Sequence, residues 1–325
     1  MTSRTLFGLA ALTAAAIAQT SDPWFSTFSI IAWDPATQEL GVAVESRAFG
    51  AGAAVPYARP GVGAVATQAA ANRLYGPKAI ALLEQGLSPA EAVRRITDED
   101  PGRDSRQVAV LDIQGRSAVF TGKTTLTHVY AGHVTGLNFS VQGNTLAGED
   151  VVKATAAAYE SSRGSMAERF MAALEAGQSK GGDRRGMQSA GILVVRPIPP
   201  GSDSTVERIV DIRVDDAVDP FRELRRLLNL TTSGAHAQQS AQLAKEGKFA
   251  EALAEQQKAV EMNPRNEGTH YALAVRYTQS HEYVNAILEL REALAIQENL
   301  RQQASGDATF APLRDFVEFR RLVTP

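Results

Sequence analysis

The chain has 325 residues, of which 33 are Lys or Arg and 36 are Asp or Glu, so its formal net charge at pH 7 is −3. Because acids and bases are interspersed, the sequence offers no basic patch for nucleic acid and no polybasic segment for a membrane surface. Cysteine is absent, which excludes disulfides, thiolate metal sites and a cysteine nucleophile. The length is sufficient for one large core and a smaller appendage.

Residues 1–18 have the pattern of a secretory signal peptide. Arg4 supplies positive charge, residues 6–17 are mostly apolar, and the AIA triplet at 16–18 fits an A-x-A cleavage site. The apolar run is too short to cross a bilayer, and no later run is longer. We therefore predict an exported protein, periplasmic or secreted, without a membrane span and with a short extension at 19–26.

The sequence pattern from residue 27 to about 213 predicts short strands, with helices between the later strands. The runs FSIIAW and GILVV are apolar on both faces, as expected of strands covered on both sides by a second sheet or by helices. The turn DPATQE at 34–39 predicts antiparallel pairing of the first two strands. The predicted strands are Thr27–Trp33, Leu40–Ser46, Val62–Thr67, Arg106–Asp112, Ser117–Thr121, Phe139–Gln142, Gly191–Arg196 and Glu207–Val214.

Two helices in this region begin with capping boxes. Ser88 is followed three residues later by Glu91, and Ser165 by Glu168. Both helices are rich in alanine and amphipathic, so each has one face to bury. We predict an α+β domain over residues 27–230, with two stacked sheets flanked by helices.

A second, all-α domain is predicted at 237–325, after a polar linker at 231–236. Phe249, Ala252 and Ala259 recur thirty-four residues later as Tyr283, Ala286 and Ala293. This period is that of a tetratricopeptide repeat. It predicts helix pairs from about residue 237 to 296, closed by a capping helix around 313–322. The alanines allow close helix approach, while Phe249 and Tyr283 are expected to fill equivalent holes.

The repeats also suggest two roles. A stack of helix pairs presents a concave groove that suits an extended peptide, so one hypothesis is docking of a protein partner. The other is that the repeats stabilise the chain or form a homo-oligomer.

Four ordered segments carry a family resemblance: 27–46 (TFSIIAWDPATQELGVAVES), 55–76 (VPYARPGVGAVATQAAANRLYG), 140–144 (SVQGN) and 181–195 (GGDRRGMQSAGILVV). They resemble the family called domain of unknown function 1028, over roughly residues 27–215. Members of that family resemble the N-terminal-nucleophile hydrolases. The resemblance therefore implies a four-layer αββα sandwich, followed here by the tetratricopeptide-like domain.

The resemblance implies that Thr27 is a nucleophile. In that fold the first residue after processing attacks an amide carbonyl with its hydroxyl, and its free α-amine, which titrates at about pH 8, takes the proton. Cleavage after Ala18 still leaves QTSDPWFS ahead of Thr27, and an amide nitrogen is no base. Either a second cleavage exposes Thr27, or Thr27 is a β-branched residue that starts a strand.

Further polar residues end predicted strands, where the site groups of sandwich folds collect. We assign catalytic support to Glu45 and Asn144, with Gln142 and Asn144 as candidate oxyanion donors and Gly143 allowing close backbone approach. The alternative is that these amides cap loops. The residues assigned to substrate binding are Ser46, Thr67, Gln68, Asn72, Tyr75, Gln142, Gly143, Asp183 and Arg185.

Asp183 and Arg185 follow two glycines beside an apolar strand. One hypothesis is that they bind the amine and carboxylate ends of a small peptide or amino-acid amide. The other is that they pair with each other in a tight loop. We expect the scattered site residues to converge on one concave site, which would contain Thr27, Glu45, Thr67, Asn72, Gln142, Asn144 and Asp183.

These features predict an exported amidohydrolase or peptidase-like enzyme that cleaves the C–N amide bond of a small peptide-like substrate. No cofactor and no metal are expected, since His128 and His133 lack an acidic partner pattern. The alternative is a non-catalytic envelope binding protein that uses the pocket and the repeats for interaction. The mature N-terminus discriminates the two.

Overall fold

The computed structural model describes residues 27–127, 129–198, 201 and 207–324. The predicted signal peptide, the extension at 19–26 and His128 lie outside the described residues. The strands are β1 Thr27–Asp34, β2 Glu39–Ser46, β3 Pro56–Arg59, β4 Gly63–Ala69, β5 Arg106–Asp112, β6 Ser117–Thr121, β7 Ala131–Gly136, β8 Phe139–Asn144, β9 Ser189–Val195 and β10 Arg208–Val214.

The helices divide into short connections within the sheet region and a continuous series at the C-terminal end. They are α1 Ala51–Ala54, α2 Tyr75–Glu84, α3 Pro89–Asp98, α4 Lys123–Leu126, α5 Glu149–Ser161, α6 Met166–Ser179, α7 Pro220–Lys245, α8 Phe249–Met262, α9 Glu267–Gln279, α10 Tyr283–Ile296, α11 Leu300–Gly306 and α12 Val317–Val323. Two 3-10 turns span Arg103–Ser105 and Ala308–Leu313.

Two antiparallel sheets form the first part of the chain. The larger sheet has six strands in the order β10-β9-β2-β1-β8-β7, and the smaller has four in the order β3-β4-β5-β6. The predicted antiparallel pairing of β1 with β2 is confirmed. Their turn is fixed by Asp34, whose Oδ1 accepts a hydrogen bond of 2.9 Å from the amide of Ala36.

Apolar side chains cover both faces of the central strands. Ile31 and Val42 of the larger sheet meet Ala66 and Leu111 of the smaller one in a core between the sheets. The outer face of the larger sheet, which includes Phe28, packs against α5 and α6, and the outer face of the smaller sheet packs against α2 and α3. This double burial explains why the strand sequences lack polar alternation.

Both predicted capping boxes are present at the start of α3 and α6. The Ser88 hydroxyl accepts a hydrogen bond from the amide of Glu91, and the Glu91 carboxylate accepts one from the amide of Ser88. Ser165 and Glu168 make the same reciprocal pair. Each box satisfies backbone donors that the first helical turn leaves unpaired.

The predicted linker at 231–236 lies inside α7, a helix of 26 residues. Its first turns belong to the core of the larger sheet through Phe221, Leu224 and Leu228. Its later turns pack on α8 through small polar side chains. The hydroxyls of Ser233 and Ser240 donate hydrogen bonds to backbone carbonyls of α8 at 2.7 and 2.8 Å. The polar composition of the segment therefore reflects close helix contact and not an irregular linker.

The C-terminal region is helical, as predicted, and its thirty-four-residue period is visible in contacts. His236 and Glu255 form a side-chain pair with a Nδ1–Oε2 distance of 2.5 Å. His270 and Glu289, thirty-four positions further on, form the same pair at 2.6 Å. The repeated alanines are fully buried, in the positions Ala252, Ala259, Ala286 and Ala293.

Two details of the helical region differ from the predictions. Phe249 is 41% exposed, so it does not fill a hole equivalent to that of Tyr283, which packs against Phe316. The chain after α11 forms a 3-10 turn and then α12 in place of one capping helix. Pro312 lies inside that turn and has no amide proton to donate to an α-helical hydrogen bond.

Among the described residues, no helix combines the length and the apolar character that a bilayer span requires.

Candidate active site

Thr27 is the first residue of β1 and lies between two neighbouring strands. Its backbone pairs with Ser46 on β2 and with Asn144 on β8. Since side chains alternate along a strand, the side chain of Thr27 faces the smaller sheet, while that of Phe28 faces the helices. The Thr27 hydroxyl is 3.0 Å from the Ser46 hydroxyl, and the residue is 2% exposed.

A chain of buried polar side chains runs behind Thr27. Ser29 Oγ donates to Gln68 Oε1 at 2.6 Å and accepts from Gln142 Nε2, also at 2.6 Å. Gln68 Nε2 in turn lies 3.3 Å from the carbonyl oxygen of Thr27. The Gln142 side chain thus bonds Ser29 and Ser140 within the larger sheet, and Gln68 links Ser29 to the smaller sheet. The Gln142 amide is not presented to a ligand as the predicted oxyanion donor.

Gln107 on β5 joins this network from the smaller sheet. Its Oε1 accepts hydrogen bonds from Gln68 Nε2 at 2.7 Å and from Asn144 Nδ2 at 3.1 Å. Its Nε2 donates to the carbonyl of Gly143 at 3.0 Å. Because buried amides are costly unless paired, this satisfied network fixes the relative position of the two sheets around Thr27.

A pocket of about 230 Å³ opens beside Thr27. It contains three of the predicted site residues, Thr27, Ser46 and Gln68, and its wall is otherwise mostly alanine. The full lining is Thr27, Ser46, Ala48, Phe49, Ala51, Ala54, Val55, Gln68, Ala69, Ala71 and Arg73. Phe49 and Arg73 are not among the predicted site residues, although both lie within a few residues of predicted positions.

The backbone next to two site residues is strained. Ala69 follows Gln68 with φ of 62°, and Thr145 follows Asn144 with φ of 55°. A residue other than glycine pays roughly 1–2 kcal/mol in this left-handed region. Such strain is retained where surrounding contacts hold the backbone in place. Here the strained residues lie at the ends of β4 and β8, which contribute Gln68 and Asn144.

Glu45 does not face the pocket, which corrects its predicted place beside Thr27. Side chains alternate between the two faces of a strand, and the neighbouring Ser46 faces the smaller sheet. Glu45 therefore faces the helices, on the same side as its strand partner Phe28. It is fully buried, and neither carboxylate oxygen has a hydrogen-bond partner among the described residues. The Asp183 amide lies near enough to favour the charged form without reaching hydrogen-bond geometry.

Burial is the main cause that raises the pKa of Glu45 well above its usual range, and the negative charge of Asp183 raises it further. The nearby Arg185 opposes both effects only in part. Glu45 is therefore favoured in its neutral form. Gly143 faces the same side, where an added Cβ would lie 2.4 Å from the Leu146 side chain, so this glycine serves packing.

Asp183 and Arg185 form an ion pair with each other. Arg185 Nη2 lies 3.0 Å from Asp183 Oδ2, and the Arg185 amide donates to Asp183 Oδ1 at 2.8 Å. Asp183 Oδ2 also accepts from the amide of Arg47 at 2.8 Å. Of the two predicted arrangements, the tight loop is present, and it ties residue 183 to the end of β2.

Thr67, Asn72 and Tyr75 lie on the outer side of the smaller sheet and meet around Asp100. The Thr67 hydroxyl donates to the carbonyl of Asn72 at 3.2 Å. Asp100 Oδ2 accepts from Asn72 Nδ2 at 3.1 Å, from the Tyr75 hydroxyl at 2.8 Å and from Arg106 Nε at 3.1 Å. These contacts hold the segment 70–75, which carries the pocket residues Ala71 and Arg73.

The Asp100 cluster shifts two pKa values in opposite directions. Burial opposes ionisation of Asp100, but the hydrogen bonds from Asn72, Tyr75, the Gly102 amide and Arg106 outweigh it and hold the Asp100 pKa well below its usual range. Burial, followed by the hydrogen bond to Asp100, raises the pKa of the Tyr75 hydroxyl. The cluster therefore consists of a charged acceptor and a neutral donor.

We expect the Asp100→Asn substitution to destabilise the protein by about 2 kcal/mol at pH 7, because four hydrogen bonds to a charged group lose their acceptor charge. Since the folded-state pKa is depressed, this contribution exists above the unfolded pKa of about 4 and is lost as pH falls through the folded value. Urea unfolding at pH 7 and at pH 3 measures it. The exposed Asp104→Asn change is the control, and an equal loss at both pH values would contradict the charge argument.

The predicted site residues thus occupy three places instead of one. Thr27, Ser46, Gln68, Gln142 and Asn144 meet between the sheets, Glu45, Gly143, Asp183 and Arg185 lie on or near the helix side of the larger sheet, and Thr67, Asn72 and Tyr75 lie outside the smaller sheet. Within the described part of the chain, no group of three or more His, Cys, Asp and Glu residues is arranged to hold a metal ion.

The sequence of the sheet region matches a known family. The family described as "Family of unknown function (DUF1028)" matches residues 27–224, and the chain belongs to it. The match ends inside α7, so most of the helical region lies beyond it. No curated protein matches the chain.

A solved structure supports the same assignment. The chain is similar to the crystal structure of protein SPO2555 from Silicibacter pomeroyi, also described as DUF1028, with 32% sequence identity and a TM-score of 0.56. The similarity covers 62% of this chain and 84% of the other.

Proposed function

We propose that the chain is an N-terminal-nucleophile amidohydrolase or peptidase-like enzyme in which Thr27 attacks the C–N amide bond of a small peptide-like substrate. The observation that carries the proposal is the position of Thr27. This residue begins β1 and lines a pocket, and its hydroxyl contacts the Ser46 hydroxyl. The arrangement of two sheets with helices on both outer faces supports a four-layer αββα sandwich of this hydrolase class.

The mechanism requires prior hydrolysis of the Ser26–Thr27 peptide bond, in which water is consumed, the preceding segment leaves with a carboxylate and Thr27 gains a free α-amine. The new α-amine takes the hydroxyl proton while Thr27 Oγ1 bonds to the substrate carbonyl carbon. The C–N bond then breaks, and the ammonium group gives its proton to the leaving nitrogen. Water, deprotonated by the same amine, attacks the resulting ester, releases the carboxylic acid and restores Thr27.

Two neighbours support this chemistry. The Ser46 hydroxyl shares a hydrogen bond with Thr27 Oγ1 and so orients it. Gln68 contacts the Thr27 carbonyl oxygen and lines the pocket, which holds the backbone of the nucleophile in place. Positioning of this kind lowers the entropic part of the barrier.

A second candidate function is a non-catalytic binding protein. The observation in its favour is that twenty-six residues precede Thr27 in the sequence. While they remain attached, the Thr27 nitrogen is an amide and cannot act as a base. In that case the pocket binds a small molecule without turning it over.

The mature N-terminus tests the choice. The protein is expressed with its full sequence, purified from the exported fraction and measured by intact mass and N-terminal sequencing. A chain that begins at Thr27 is the expected result. A chain that begins at Gln19 and stays there rules out the amine-base mechanism and leaves the binding protein.

We also propose that the chain is periplasmic or secreted and that its C-terminal region is a pair of tetratricopeptide-like repeats. The repeated His–Glu pairs and the repeated buried alanines support the repeat assignment. Such repeats suit docking of a protein partner or formation of a homo-oligomer. Cell fractionation tests export, and the mass of the purified protein by light scattering tests self-association.

A further inference from the structure

We propose that Arg73 makes the Thr27 pocket selective for small substrates that carry a carboxylate, such as an N-acyl amino acid or a dipeptide with a free C-terminus. The inference rests on the proposed function in one respect, that the scissile amide lies at Thr27. It adds a substrate class, and its test measures binding, which does not require turnover.

Arg73 supplies the only charge among the described residues that line the pocket. The other lining residues provide hydroxyls, one amide and mainly small apolar side chains. Arg73 is exposed, and it makes no ion pair or hydrogen bond with any residue in the described part of the chain. Its charge is therefore available to a ligand.

The neighbouring arginines are already engaged. Arg106 pairs with Asp100 at 3.1 Å, Arg185 pairs with Asp183 at 3.0 Å, and Arg47 Nη1 donates to Gln188 Oε1 at 2.7 Å. Each has a protein acceptor that satisfies its guanidinium. Arg73 differs from these three arginines in that its guanidinium has no acceptor in the described part of the chain.

The backbone that carries Arg73 is held on both sides. Before it, the amide of Ala70 donates to the carbonyl of Ser105 at 3.0 Å, and Arg106 donates to the carbonyl of Ala70. After it, the amide of Leu74 donates to Asn72 Oδ1 at 3.1 Å. Since the backbone is already ordered, ligand binding has to order only the Arg73 side chain, which lowers the entropic cost.

The size and charge of the pocket favour a carboxylate over a phosphate. A volume of about 230 Å³ is smaller than the pockets that hold drug-sized ligands, so the ligand is a small one. A guanidinium matches a carboxylate with two parallel hydrogen bonds and equal, opposite charge. A phosphate dianion would keep one charge uncompensated, because no second cation lines the pocket among the described residues.

The test compares two probes of nearly equal shape, N-acetyl-L-alanine and N-acetyl-L-alanine amide, with inorganic phosphate as a third. Their dissociation constants are measured by NMR titration of the purified full-length protein at low ionic strength. We expect the wild type to bind the carboxylate about tenfold more tightly than the amide, a typical gain for a partly exposed charged hydrogen bond. Phosphate is expected to bind more weakly than the carboxylate.

Three variants locate the effect. Arg73→Gln should abolish the tenfold preference by weakening only the carboxylate, and Arg73→Lys should retain part of it. Arg95→Gln makes the same charge change at an exposed arginine on α3 outside the pocket and should leave the preference intact. Equal melting temperatures of the variants establish that all of them are folded.

Several outcomes would overturn the inference: no detectable binding of N-acetyl-L-alanine, equal binding of acid and amide by the wild type, a preference that survives Arg73→Gln, or phosphate as the tightest probe. Failure of the proposed function has a different signature. In that case the carboxylate preference depends on Arg73, while the chain never begins at Thr27 and no amide is hydrolysed.

Discussion

Replacing Thr27 with Ala is expected to lower kcat/KM for hydrolysis of small N-acyl amino acids by about 10⁴-fold or more, as removal of a catalytic nucleophile does in other hydrolases. Alanine removes the only atom that forms the bond to the substrate carbonyl. Thr27→Ser keeps both the hydroxyl and the α-amine, so it should retain measurable turnover. Amine release from a panel of dipeptides and N-acyl amino acids measures the change.

The pH profile adds a second readout for Thr27. Because the proposed base is an α-amine with a pKa of about 8, kcat/KM should rise with pH and level off above that value. Thr97→Ala is a matched control, since Thr97 is also buried but lies away from the pocket, where its hydroxyl donates a hydrogen bond to the carbonyl of Val93. Turnover that survives in Thr27→Ala, or a profile without the rising limb, would contradict the role of Thr27.

Replacing Glu45 with Gln is expected to stabilise the protein at neutral pH by on the order of a few kcal/mol, because the Glu45 carboxylate is ionised in the unfolded chain and has to take up a proton on folding. The folded-state pKa is raised above the ordinary value of 4.5, so the folded state holds an extra proton between that value and the raised one. Stability therefore falls as pH rises through this window in the wild type. Glutamine keeps the shape and does not titrate, so the fall should vanish.

Urea unfolding from pH 4 to pH 8 measures the effect. The two proteins should be nearly equal at pH 4, where Glu45 is protonated in both states, and should diverge as the pH rises. The exposed Glu160→Gln change is the control and should leave the profile unchanged. A Gln variant that is less stable at neutral pH would mean that the carboxylate is ionised and held by a partner.

The central strands could be predicted because both of their faces are buried. β3 and β7 were missed because they are edge strands with half-exposed side chains, and their sequences PYAR and AGHVTG lack a continuous apolar run. The continuity of α7 was missed for a related reason. Its middle turns contact α8 through Ser233 and Ser240, and hydroxyls in that position look like a polar linker in the sequence.

The sequence could predict which side chains of a strand share a face, but it could not predict which residues the stacking of the two sheets brings together. The pairing of Thr27 with Ser46 follows from the turn between β1 and β2, and the same period of two assigns Glu45 to the other face. Gln107 carries no local signal, because its role depends on how the two sheets stack. Arg73 carries none either, since its place in the pocket is set by the contacts of Asp100, which is distant in sequence.

Because α7 is one continuous helix, its rotation per residue fixes the orientation of the C-terminal helices relative to the sheets. An α-helix turns by about 100° and advances about 1.5 Å for each residue. One residue inserted between 231 and 236 would therefore swing α8 and all later helices about a quarter turn around the α7 axis, while the sheets stayed in place. Insertion of seven residues, nearly two full turns, would restore the direction of the helical region and move it about 10 Å further from the sheets. The length of this segment, more than its composition, sets the direction in which the C-terminal helices face.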